Sequence, residues 1–115
     1  MTSPTIDRAT FDALRETTGA DFVKELVDTF LEEAPAMLEE LRTALAAGDA
    51  DTFRRAAHSL KSNSNTFGAL ALGTLARELE LGGIARAAEG DGRPLDALEQ
   101  EYSRVAAALG EMRHA

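Results

Sequence analysis

A histidine flanked by basic residues is the part of the sequence best suited to chemistry. Arg54 and Arg55 lie one helical turn before His58, and Lys61 lies one turn after it. Residues three or four positions apart share a helix face, so all three cations would surround His58. Neutral imidazole is a nucleophile near pH 7. Cations beside it could stabilise the negative charge of an added phosphoryl group, so the pattern predicts a histidine that accepts one.

The charge distribution along the chain supports this prediction. The 115 residues include 20 acidic side chains and carry a formal net charge of −8, yet no aspartate or glutamate occurs between Thr52 and Arg77. A gap of this kind removes repulsion from a bound phosphoryl group. A solvated basic face that pairs with an acidic neighbouring helix would also explain the cations. That alternative does not explain the small polar residues Ser62 and Asn65 around His58.

A helical wheel places His58 in solvent. The opposite side of the same helix is largely apolar and defines the core face: Phe53, Ala57, Leu60, Ser64 and Phe67. Small residues near His58 leave room for a bulky phosphoryl donor. We therefore expect a docking surface for a partner that includes Ser62, Asn65 and Ala57. We expect Asn63 and Ser64 to lie at the seam between helices, and Gly68 to end the helix.

The composition excludes several classes of function. The chain has no cysteine and two histidines, which argues against disulfides, a thiolate nucleophile and a metal site. Its acidity argues against binding to nucleic acid, and no apolar run approaches the roughly 20 residues of a membrane span. The first residues lack the basic and apolar regions of a signal peptide. These features predict a cytoplasmic protein without a metal of its own.

Helix-forming residues and apolar spacing predict an all-α fold. A short first helix is expected between Asp7 and Gly19, and Asp21 is expected to cap a long second helix kinked at Pro35. Three more helices follow at about 50–67, about 70–88 with a weak point at Gly82-Gly83, and 94–112 with Pro94 as its first residue. The prediction is an antiparallel four-helix bundle with a short extra N-terminal helix, one domain over 1–115 with its core at about 6–112.

The segment around His58 resembles a known motif. The run His58-Ser-Leu-Lys61-Ser-Asn-Ser-Asn-Thr-Phe-Gly68-Ala69 is similar to the phosphoacceptor motif of histidine-containing phosphotransfer (HPt) domains, broadly His-x-Leu-Lys-Gly-Ser followed further on by Gly-Ala. Segments 30–35, 54–58 and 75–79 resemble the same family. One departure is Ser62, where the family often has glycine. Serine is also small, so docking should survive.

The resemblance carries specific implications. HPt domains are helical bundles that carry a phosphoryl group on one histidine between aspartates of receiver domains in multistep phosphorelays. By position, His58 would be phosphorylated on Nε2 and Lys61 would contact the phosphoryl group. Mg²⁺ and most catalytic groups would come from the receiver, so no cofactor of its own is expected. The implied partners are response-regulator receiver domains and hybrid histidine kinases. We expect a monomeric carrier, with no membrane or nucleic-acid partner and no enzymatic activity.

Other functions remain open from the sequence. The chain could be a helical bundle for interaction or oligomerisation, with the seam of the last helix pairing across a dimer. It could also be a phosphoacceptor domain of the chemotaxis-kinase type. A hydrolase or metal enzyme is disfavoured, because no acid–base partner is evident near His58 and His114 lies at the end of the chain. The Met1 start favours a free-standing protein.

Overall fold

Five α-helices form the part of the protein that the structure describes. A computed structural model describes residues 5–112 and contains α1 Arg8–Thr18, α2 Ala20–Ala47, α3 Ala50–Thr66, α4 Leu70–Ala87 and α5 Arg93–Met112. A 3₁₀ turn, Glu89–Asp91, joins the last two helices. No β-strand occurs within residues 5–112. The predicted all-α bundle with a short extra N-terminal helix is confirmed.

Aspartate side chains start two of the helices. Asp7 accepts a hydrogen bond from the backbone N–H of Thr10 at 3.1 Å, and Asp49 accepts one from the N–H of Thr52 at 3.2 Å. Each bond satisfies a backbone donor that the first turn of a helix leaves without a partner. Asp7 is the cap expected from the sequence. Asp49 sets the start of α3 and therefore the position of the basic cluster.

The start of α2 differs from the prediction. The helix begins at Ala20, after Gly19 with φ +94°, and Asp21 lies inside the first turn. Asp21 is therefore not the cap, although a negative charge in the first turn still favours the helix dipole. The helix continues past Pro35 to Ala47, so the prediction of one long helix is correct.

The predicted weak point in α4 is real. Gly83 has φ +65° and ψ −157°, which takes the backbone out of the helical region within the span of α4. Glycine tolerates this conformation because it has no Cβ. Helix α5 begins at Arg93, so Pro94 is its second residue rather than its first. Proline at this position costs the helix no hydrogen bond, because backbone N–H groups in the first turn have no acceptor inside the helix.

The core lies where the apolar faces of the helices meet. Helix α5 contributes the seam expected from its spacing, with Leu95, Leu98, Val105 and Leu109 buried. Phe30 of α2 lies between two other aromatic rings, 5.4 Å from Phe67 and 6.0 Å from Tyr102 between ring centroids. These contacts fix α2 and α5 around the end of α3.

An ion-pair cluster on the surface joins α2 to α5. The Arg42 guanidinium contacts both carboxylate oxygens of Glu99, at 2.6 and 2.8 Å, and one oxygen of Asp96, at 2.9 Å. Paired bonds of this kind fix geometry better than a single contact.

Within residues 5–112, no helix has both the length and the hydropathy needed to cross a membrane.

A short turn connects α3 to α4 and packs against the start of α1. Gly68 has φ +84°, and a Cβ there would lie 2.8 Å from the carbonyl oxygen of Asp7. The backbone N–H of Asp7 donates to the carbonyl of Gly68 at 2.8 Å. Both the backbone angle and the close approach require glycine. This turn makes α3 and α4 an antiparallel pair and fixes their relative register.

Candidate functional site

His58 lies on the solvent side of α3, as the helical wheel predicted. Its side chain is 56% exposed. The core face of the same helix is fully buried at Phe53, Ala57 and Leu60, each 0% exposed. One face of α3 therefore anchors the helix while the other presents the imidazole to solvent.

A glutamate from the neighbouring helix contacts both His58 and Lys61. Nδ1 of His58 lies 2.7 Å from Oε2 of Glu80, and Nζ of Lys61 lies 2.8 Å from Oε1 of the same carboxylate. Glu80 belongs to α4 and is 22 positions away from His58 in the sequence. One carboxylate thus joins the two residues that the motif placed one turn apart.

The environment of Glu80 keeps it ionised. Its side chain is only 14% exposed. The Lys61 ammonium is the largest cause of a lowered Glu80 pKa; the His58 hydrogen bond acts in the same direction, and burial opposes both. An ionised carboxylate can only accept hydrogen bonds, so Nδ1 of His58 must carry the proton. In the neutral ring this leaves the lone pair on Nε2.

The two arginines of the motif point away from this cluster. Arg54 and Arg55 both pair with Asp51, at 3.2 and 3.0 Å. Side chains on a helix lean towards its N-terminus, so residues before His58 lean away from it. Lys61 lies after His58 and leans back towards it. Of the three predicted cations, the structure therefore brings only Lys61 into the cluster with His58.

The predicted docking residues separate into exposed and buried positions. Ser62 and Asn65 are exposed on the same side of α3 as His58. Ala57 is 0% exposed, and its inclusion in the docking surface is wrong because it lies on the core face. Ser64 is also fully buried, where its hydroxyl donates to the carbonyl of Leu60 at 2.6 Å.

The expectation that no acid–base group lies near His58 is wrong, because the carboxylate of Glu80 lies 2.7 Å from its Nδ1. The position of Glu80 could have been inferred from the register of the antiparallel α3–α4 pair. Asn65 of α3 lies against Gly73 of α4, and His58 lies against Glu80. The residue numbers of the two pairs have the same sum, as expected for antiparallel helices with equal rise per residue.

The sequence matches a known family of protein domains over most of its length. The Hpt domain model matches residues 25–108. The chain belongs to the Hpt domain family. Hpt domains interact with receiver domains and histidine kinases, and this Hpt domain has a phosphotransfer role in phosphorelays.

Two solved structures resemble the Hpt domain. Histidine-containing phosphotransfer protein B (HptB) from Pseudomonas aeruginosa PAO1 is 30% identical, with a TM-score of 0.87 over 98% of this chain and 97% of that one. The HPT domain of a sensor hybrid histidine kinase from Shewanella is 21% identical, with a TM-score of 0.73 over 94% and 92%, and shows the shared fold. No curated protein sequence matches this chain significantly.

Possible metal ligands do not cluster in the part of the Hpt domain that the structure describes. Across residues 5–112, no three histidine, cysteine, aspartate or glutamate side chains form a group that could hold a metal ion. His114 lies outside the described residues.

Proposed function

We propose that His58 is the phosphoacceptor and that the protein carries a phosphoryl group between aspartates of receiver domains. The observation that carries the proposal is the 2.7 Å contact between Nδ1 of His58 and Oε2 of Glu80. This hydrogen bond orients the ring and leaves Nε2 as the nucleophile. Because the side chain is half exposed, Nε2 is accessible to a partner protein.

The first step is an in-line displacement at phosphorus. The Nε2 lone pair of His58 forms a P–N bond while the P–O bond of a receiver phosphoaspartate breaks, and the aspartate leaves as a carboxylate. Nδ1 keeps its proton. The ring becomes positively charged, and the ionised Glu80 beside Nδ1 stabilises that charge. In the reverse step, the aspartate of the next receiver attacks phosphorus and the imidazole leaves neutral.

Lys61 completes the site. Its ammonium is within 2.8 Å of Glu80, close to the ring that carries the phosphoryl group. The phosphoryl group adds negative charge that a flexible lysine can contact. We propose that Lys61 contacts the phosphoryl group and that Glu80 orients the imidazole and stabilises its positive charge. Arg54 and Arg55, paired with Asp51, contribute only a more distant field.

The protein acts as a carrier and not as a kinase. Its sequence has neither GxxxxGK nor GxGxxG, the glycine patterns of common nucleotide-binding loops. Mg²⁺ and the remaining catalytic groups belong to the receiver in this proposal. We propose a monomeric, cytoplasmic protein whose partners are receiver domains and hybrid histidine kinases, with no binding to nucleic acid or membrane.

Phosphotransfer profiling tests the proposal. Purified receiver domains from the source organism are labelled with ³²P and mixed with the parent protein, His58→Gln and, as a matched control, His114→Gln. We expect acid-labile, alkali-stable label on the parent and on His114→Gln only. If His58→Gln accepts label as well as the parent does, His58 is not the acceptor. If no receiver labels the parent, the protein is an interaction bundle without this chemistry.

A further inference from the structure

Gly73 of α4 is buried against α3, with the side chain of Asn65 beside it. Its backbone is helical, so the backbone angles do not require glycine. A Cβ at Gly73 would lie 2.9 Å from Cγ of Asn65 and closer still to its Oδ1. Non-bonded heavy atoms rest about 3.5–4.0 Å apart. The present spacing of α3 and α4 at this level therefore depends on the missing side chain.

The contact between Asn65 and Gly73 lies on the same seam as the contact between His58 and Glu80. Seven residues separate Gly73 from Glu80, and seven separate His58 from Asn65. Two turns of helix bring residues at this spacing back to nearly the same side. The two contacts are therefore two points of one line along which α3 and α4 meet, about 10 Å apart.

The turn at Gly68 makes the second contact sensitive to the first. The N–H of Asp7 donates to the carbonyl of Gly68 at 2.8 Å, which holds this end of α4 against α1. Gly73 lies five residues beyond the turn and Glu80 lies twelve beyond it. The non-helical Gly83 comes after Glu80, so α4 is a regular rod up to that point. An outward tilt of the rod that starts at the turn is therefore more than twice as large at Glu80 as at Gly73.

The hydrogen bond of His58 tolerates little movement of α4. It measures 2.7 Å between Nδ1 and Oε2 of Glu80. Such bonds are lost at about 3.5 Å, so a shift of about 1 Å at Glu80 is enough to break it. The Lys61 ammonium also contacts this carboxylate, but its flexible stem can follow a carboxylate that moves. The imidazole has a shorter reach and cannot follow as far.

On the basis of the proposed function, we propose that Gly73 is a positioning residue for phosphotransfer. Together with the Asn65 amide, it sets the helix spacing that brings the Glu80 carboxylate to Nδ1 of His58. Gly73 touches neither the imidazole nor the phosphoryl group and acts through Glu80. It thereby controls which nitrogen of His58 carries the proton, and so the availability of the Nε2 lone pair.

Four variants test the role of Gly73: Gly73→Ala, Asn65→Ala, the double variant, and Gly110→Ala as a matched control. Gly110 is a glycine of α5 with open space around its Cβ position. Nitrogen NMR of the neutral imidazole gives the fraction of His58 that carries the proton on Nδ1. Phosphoramidate, a small donor that needs no docking surface, gives the rate at which His58 is labelled.

We expect Gly73→Ala to lower the fraction with the proton on Nδ1 and to slow labelling about fivefold, because the orienting carboxylate is displaced. Asn65→Ala leaves a gap rather than a collision and should keep both parental values. The double variant removes the collision, so it should recover to within about twofold of the parent, where Gly110→Ala should also remain.

A Glu80→Gln background shows whether Gly73 acts through Glu80. Gly73→Ala should cause no further loss there, because the two changes disrupt the same contact. Three results would each overturn the proposal: parental values in Gly73→Ala, no recovery in the double variant, or the full loss repeated in the Glu80→Gln background. The tautomer measurement needs no phosphoryl transfer. Absence of label on His58 in the parent from every donor would therefore reject the proposed function, while the tautomer ratios still decide the role of Gly73.

Discussion

His58 of α3 and Glu80 of α4 are joined by a contact of 2.7 Å between Nδ1 and Oε2. The orientation of the imidazole therefore depends on a second helix as well as on its own. Since Glu80 also holds Lys61, one carboxylate positions both the nucleophile and the cation beside it. The reactivity of the site should accordingly respond to changes in α4.

Glu80→Gln should slow phosphorylation of His58. The amide can donate as well as accept a hydrogen bond, so it no longer fixes the proton on Nδ1, and it does not stabilise a positive ring. We expect the transfer rate to fall about tenfold or more, as for other histidines that lose an orienting carboxylate. The rate is measured with a labelled receiver. Nitrogen NMR of the imidazole gives the fraction of each tautomer, which a purely structural defect would leave unchanged.

Glu78→Gln is the matched control for this experiment. Glu78 lies on the same helix, and its closest cation is Arg86 at 3.9 Å. The control should keep the parental transfer rate and tautomer ratio. Equal losses in the two variants would mean that Glu80 acts only through the stability of α4.

The stabilising effect of Glu80 should depend on pH. The Glu80 pKa is lowered from its usual 4.5, chiefly by Lys61. A carboxylate with a lowered pKa in the folded state stabilises the fold above its unfolded pKa and loses this effect as pH falls through the folded pKa. The free-energy difference between parent and Glu80→Gln should therefore shrink as the pH falls below about 4.5. Urea unfolding at a series of pH values measures it.

Other carboxylates do not confound this comparison. Asp49 also has a lowered pKa, because Thr52 donates side-chain and backbone hydrogen bonds to it. Its contribution is present in both proteins and cancels in the difference. A parent–variant difference that stays constant down to about pH 3 would contradict a role for the Glu80 charge in stability.

Neutralising Arg54 and Arg55 together should have little effect on transfer. Both side chains pair with Asp51 and lean away from His58. We expect the double variant Arg54→Gln/Arg55→Gln to stay within about twofold of the parental rate, and Lys61→Gln to lose about tenfold. The same labelled-receiver assay measures both. If the arginine variant loses as much as Lys61→Gln, the arginines contact the phosphoryl group directly.

The close contact between Asn65 and Gly73 should be visible in stability. Gly110 of α5 has open space around its Cβ position, so Gly110→Ala should raise the free energy of unfolding by about 0.5–1 kcal/mol. A Cβ at Gly73 would collide with Oδ1 of Asn65. We expect no such gain from Gly73→Ala in the parent, and recovery of the gain in an Asn65→Ala background. Urea unfolding of the four combinations gives the coupling energy, and additive effects would contradict the contact.

The exposure of His58 and the helix boundaries of α3 could be predicted from the sequence. Both depend on local information: the spacing of apolar residues and the glycine at the end of the helix. The ion pairs of Arg54 and Arg55 could also be predicted from the sequence. Asp51 lies three residues before Arg54 and four before Arg55, which is the spacing at which side chains on a helix meet. Asp51 lies one residue outside the acid-free segment, so a prediction based on that segment alone does not include it.

The position of Glu80 could not be predicted from helix periodicity alone. Periodicity gives the face of a helix on which a residue lies, but not which residue of another helix it meets. That depends on the turn around Gly68, whose shape depends in turn on a contact with Asp7. The helical wheel already places Ala57 on the buried face of α3, which is incompatible with its prediction as a docking residue.

The turn around Gly68 also determines which changes in chain length this domain tolerates. One extra residue there would turn α4 by about 100° relative to α3 and carry Glu80 away from the imidazole. Helices α3 and α4 could each remain intact while the pairing of His58 with Glu80 was lost. Lineages that keep the Glu80 pairing should therefore keep the length of this turn while they vary the loop around Gly90, where insertions leave the α3–α4 register untouched.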